Sequence, residues 1–109
     1  MPFAGGWLVT CYDNGAVVKI GADGQTERVW DKDSAGAALV GPNDATSDGK
    51  GGAYLTASGP WESGPIVGKV YHLSADGALM PVADDLHYAN GIQLAADGKL
   101  LYVNESEAA

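Results

Sequence analysis

Positive charge is scarce in this chain. Six Lys and Arg stand against 14 Asp and Glu in 109 residues, giving a formal net charge of −8. Such a surface repels the phosphates of nucleic acid, so no nucleic-acid partner is expected. Acidity suits a soluble protein that binds cations, although composition by itself decides nothing further. Cysteine is almost absent: Cys11 alone excludes an internal disulfide and any Cys-x-x-Cys zinc cluster, and its apolar neighbours mark it as a small core residue. No apolar run approaches the roughly 18 residues of a membrane-spanning helix, so no membrane partner is expected. No basic segment followed by an apolar run opens the chain, so no signal peptide is read. The compartment stays open, with a soluble cytoplasmic location slightly favoured. A Gly-x-Ser-x-Gly elbow is missing, which removes support for a serine hydrolase. Helical periodicity is missing as well.

What is present is turn chemistry. The chain has 16 Gly, and Asp-Gly pairs occur at Asp23-Gly24, Asp48-Gly49, Asp76-Gly77 and Asp97-Gly98. Gly supplies the positive φ of a tight hairpin without strain. Between these turns, β-branched and aromatic residues predict strands at 7–12, 16–20, 26–30, 43–47, 53–57, 68–74, 79–83, 91–95 and 100–104. The run Leu100 to Val103 is nearly all apolar and reads as a strand buried on both faces. Residues 26–30 and 79–83 are more polar or peripheral and read as outer strands. Segments 31–41 and 58–65 read as loops, and Asp84 to His87 as a crossover.

The strands repeat. Asn43-Asp44 followed by Asp48-Gly49 and Tyr54 aligns with Asn90-Gly91 followed by Asp97-Gly98 and Tyr102. Gly15 to Gly24 aligns likewise with Gly68 to Gly77, with a period of about 50 residues, in the range of propellers and arrays. The expected fold is all-β: a partial β-propeller of about two four-stranded blades plus part of a third. Residues 7–30 form an incomplete blade, 42–83 a complete one and 90–105 the start of the next. Copies of the chain would join two strands to three, five where a blade takes four, so a piece of a longer chain is expected. Its open sheet edges invite association.

Pro42-Asn43-Asp44, Asp48-Gly49, Ala53-Tyr54-Leu55-Thr56, Gly68-Lys69-Val70-Tyr71-His72-Leu73 and the stretch Ala83 to Glu105 resemble the senescence marker protein/gluconolactonase family. The resemblance covers about residues 7–105. It implies a six-bladed propeller, a group that also takes in paraoxonases and strictosidine-synthase-like proteins. It further implies a divalent cation, usually calcium, held at the propeller centre by side chains from inner strands. Asn43 matches the family's Asn-Asp position and Asn90 its Asn-Gly position, so these two are the implied metal ligands. The family's acidic ligands have no counterpart here, and the chain resembles half a site. The implied chemistry is hydrolysis of a sugar lactone or related ester, in which calcium polarises the carbonyl and stabilises the developing oxyanion. A non-catalytic scaffold that binds protein or sugar is the alternative from a different class, and a strictosidine-synthase-like propeller is a third.

The residues themselves leave alternatives. Calcium accepts carboxamide oxygens among its hard ligands, and Asn at equivalent repeat positions would converge on one axis. Asn before Gly or Asp also caps turns through its side chain. Asp44 reads either as a carboxylate orienting Asn43 or a bound water, or as a turn residue. His87 and Glu105 are the candidates for taking a proton from water, against a loop histidine and a strand-end charge. His72 reads as structural, and Trp61 as a pocket rim or a loop anchor. The amides of Asn43 and Asn90 are expected to point toward a common centre. The 109-residue chain alone is expected to be inactive as a lactonase.

Overall fold

Every turn predicted from an Asp-Gly pair closes a hairpin, and the hairpins build the molecule. The computed structural model describes residues 1–59, 67–86 and 88–105. Its ten strands are β1 (Pro2–Phe3), β2 (Gly6–Cys11), β3 (Ala16–Ile20), β4 (Thr26–Trp30), β5 (Pro42–Ser47), β6 (Ala53–Ala57), β7 (Gly68–Leu73), β8 (Leu79–Leu86), β9 (Ala89–Leu94) and β10 (Leu101–Glu105). They form antiparallel sheets in the orders β1-β2-β3-β4, β5-β6-β7-β8 and β9-β10. No helix occurs among the described residues, so none there is long enough to cross a membrane.

The turns show why Asp precedes Gly. In each pair Gly takes the positive φ (83° at Gly24, 76° at Gly49, 94° at Gly77, 73° at Gly98), while Asp does not. Asp instead accepts, through Oδ1, the backbone N–H two residues on: Gln25, Lys50, Ala78 and Lys99. These are therefore not two-residue turns with both central residues left-handed: Gly alone of each pair is left-handed, and the Asp48 loop adds Gly51 at φ 87°. Gly21 N–H to Gln25 O and Ser74 N–H to Ala78 O, each 2.9 Å, close three-residue loops around them.

The main core lies between the first two sheets, where Leu8, Val17 and Trp30 meet Leu55, Tyr71, Leu73 and Leu79. The second sheet is covered on its other side as well, by β9 packed against β5 and β6. Four expectations need correcting. The two-residue β1 was not predicted, because so short a strand carries no periodic signal, and with it the first sheet counts four strands. Strand β8 runs on through Asp84 and Asp85 to Leu86, where a crossover was expected; as a sheet edge it buries little and tolerates charge. Strand β10 is not buried on both faces: Tyr102 is 60% exposed, because β10 is the edge of a two-stranded sheet. Cys11 is only half-buried.

Candidate functional site

One end of the molecule gathers the end of β2, the start of β5, the end of β6 and the start of β9. Asn43 is the second residue of β5 and Asn90 the second of β9, and both are half-buried. The chain enters β5 past Gly41 (φ 67°), where a Cβ would lie 2.4 Å from Gly59 O, so only Gly allows this approach.

Buried hydroxyls at the end of β6 and just beyond it tie the two inner strands together. Thr56, 0% exposed, donates to Asn90 O and accepts the Asp44 N–H at 3.2 Å. Ser58, 3% exposed, donates to Ala89 O and accepts from Asn43 Nδ2 at 3.1 Å. Thr10 of β2 likewise donates to Asn43 O at 2.7 Å. Side chains of β5 accept the N–H groups along β9: Asp44 Oδ2 from Ile92 at 3.2 Å and Thr46 Oγ1 from Leu94 at 3.4 Å. An innermost strand has no neighbour in its own sheet on that side, and these bonds satisfy groups that would otherwise be orphaned.

Asn43 and Asn90 are thus brought to the same end and joined through Ser58, which touches Asn43 and the residue before Asn90. Their carboxamides differ. Among the described residues no hydrogen bond reaches Asn43 Oδ1, whereas Asn90 Oδ1 accepts the N–H of the next residue, Gly91, within β9. Asp44 places its oxygens on Ala45 N–H and Ile92 N–H, and neither contact is to Asn43. Glu105 ends β10 opposite Ala89 and is exposed. His87 and Trp61 lie outside the described residues. Beside the Asn pair, Tyr88 donates through its hydroxyl to that of Tyr12 at 2.8 Å, and Tyr12 donates to Gly59 O at 3.2 Å.

As a donor set for calcium, the pair fits in kind but is small: two hard, neutral carboxamide oxygens, with the neighbouring Asp44 carboxylate engaged by the N–H groups of Ala45 and Ile92. Among the described residues no group of three His, Cys, Asp or Glu could hold a metal. Thr10, Thr56 and Ser58 were missed by sequence reasoning, although Thr10 and Thr56 fall at the same place after Gly6 and Gly52 and a finer repeat alignment would have paired them.

The opposite, hairpin end carries His72. Its Nε2 lies 2.8 Å from Asp48 Oδ2, and its ring sits 4.9 Å from that of Tyr54, tilted by 44°. Burial pushes the Asp48 carboxyl up, but the His72 bond, the N–H groups of Lys50 and Gly52 and the His72 charge together hold it below its ordinary value.

Successive antiparallel four-stranded sheets whose inner strands meet at one end define a segment of a β-propeller. The model of the SMP-30/gluconolactonase/LRE-like region matches residues 1–109, and the chain belongs to that family. It is similar to the lactonase drp35 of Staphylococcus saprophyticus, with 31% identity over 109 aligned residues covering 94% of this chain and 33% of that protein. With lactonase drp35 of Staphylococcus aureus it shares 37% identity over 67 residues, 61% of this chain and 20% of that protein. The chain spans a third or less of the length of these relatives.

Proposed function

We propose that the protein carrying this chain is a calcium-dependent lactonase that hydrolyses small lactones or related esters, with Asn43 and Asn90 as neutral metal ligands. The observation that carries this reading is their equivalence. Each is the second residue of an inner strand, and each offers its backbone carbonyl to a threonine hydroxyl from the preceding sheet, Thr10 or Thr56. Side chains so placed in successive blades converge toward one axis, as a metal centre requires. The lactonase names of the relatives support the reaction class. A calcium ion bound there supplies a Lewis acid that polarises the lactone carbonyl. In this reading Asn43 and Asn90 hold it through oxygen, while Asp44 fixes β9 against β5. His87 and Glu105 stay as candidates for the general base.

The test is calcium titration and lactone hydrolysis by the full-length protein, with Asn43→Ala and Asn90→Ala compared. Each variant is expected to bind calcium at least about tenfold more weakly, and chelation to abolish hydrolysis. Unchanged affinity in both variants would defeat the reading. A scaffold would keep its stability without the metal and hydrolyse nothing.

A further inference from the structure

We propose that Ser58 is a positioning residue that decides which atom Asn43 presents to a divalent cation. The argument starts from a count of protons. A serine hydroxyl has one proton to donate and lone pairs to accept with. Ser58 donates its proton to Ala89 O, a backbone carbonyl that can only accept, so the direction of this bond cannot reverse. Toward Asn43, Ser58 can then only accept, and what Asn43 offers it is the NH2 group, at 3.1 Å.

Rotating the carboxamide by half a turn would set Oδ1 against the lone pairs of Ser58, with the NH2 left elsewhere. At 3% exposure Ser58 has little water to relieve that clash. The backbone carbonyl of β9 therefore sets the polarity of a two-bond chain, Asn43 to Ser58 to Ala89, that ends by presenting Oδ1 away from Ser58. Oδ1 is the atom a hard cation takes; the NH2 group would repel it. A side chain just past β6 and a carbonyl on β9 thus choose the face of a ligand on β5. Sheet docking and ligand orientation become one event.

This inference rests on the calcium reading, and the experiment separates the two. It follows the Asn43 side-chain amide resonances of the full-length protein, isotopically labelled at asparagine, and titrates calcium alone into the wild type, Ser58→Ala, Ser58→Thr and Thr56→Val. Ser58→Ala is expected to shift the Asn43 NH2 resonances, speed their solvent exchange and weaken calcium binding about tenfold, within the range known for groups that orient metal ligands. Ser58→Thr keeps the hydroxyl and should restore both. Thr56→Val removes a buried hydroxyl that does not touch the Asn43 side chain, so it should lower stability yet leave those resonances in place. Unchanged Asn43 resonances or unchanged calcium affinity in a folded Ser58→Ala protein would overturn the proposal, as would equal resonance shifts in Thr56→Val. Should Ser58→Ala fail to fold, failure of Ser58→Thr to keep the wild-type resonances would overturn it. A wild type with no calcium affinity defeats the calcium reading, and the resonances then judge the Ser58–Asn43 pairing alone.

Discussion

The two junctions between sheets are built on one plan and finished differently. At the first, Thr10 of β2 donates to the carbonyl of Asn43; at the second, Thr56 of β6 donates to that of Asn90. Two residues on, the first junction has Tyr12, whose hydroxyl reaches Gly59 O and meets Tyr88, and the second has Ser58, which binds both inner strands. Among the described residues the half-buried Thr10 hydroxyl makes one bond, whereas Thr56 is sealed and also accepts the Asp44 N–H. The shared bond docks one sheet on the next. The extra bonds of the second junction carry the polar groups of the candidate site, so burial and site-building go together.

The comparison can be broken by removing hydroxyls one at a time. Thr56→Val should have the largest effect, about 2 kcal/mol of lost stability by urea unfolding of the full-length protein, because a fully buried hydroxyl is removed and two backbone groups, Asn90 C=O and Asp44 N–H, lose their partner. A loss no greater than that of Thr10→Val would erase the distinction between the junctions. Asp44→Ala comes next, with a loss of about 1.5 kcal/mol. It takes a charged acceptor from Ile92 N–H, but at an exposed position where water can step in. Faster hydrogen exchange at Ile92 in that variant would locate the effect, and unaltered exchange would count against it. Thr10→Val should cost about 1 kcal/mol, the typical net value of a single hydrogen bond.

The smallest effect concerns pH. The Asp48 carboxyl is held below its ordinary value in the folded chain, so its contribution to stability is present above the unfolded pKa of about 3.9. It is lost as pH falls through the lower folded value. His72 faces Asp48 from β7, and Lys50 and Asp97 line the same cleft. His72→Gln removes one cause of the depression and should move the acid-unfolding midpoint to higher pH. A midpoint unmoved in that variant would show that the N–H groups of Lys50 and Gly52 suffice.

Strands at 16–20, 26–30 and 53–57 were legible to the residue, and the reason is local. An Asp-Gly pair caps itself within five residues, so its geometry is written where it acts. Asn43 and Asn90 were legible as a pair because they repeat. The hydroxyl seam was not, since Thr10 and Asn43 are 33 residues apart and Thr56 and Asn90 are 34. No period of two or of 3.6 encodes a bond over that span. The exposure of Tyr102 was misread for a similar reason: an apolar run states what a strand can bury, not whether another strand lies beside it.

The docking threonines aim at backbone oxygens, not at the carboxamides of the same residues. Every residue type has that oxygen. A different side chain could therefore stand at Asn43 or Asn90 and the sheets would still find each other by the same handhold. Assembly of the frame is insulated from the choice of tool mounted on it.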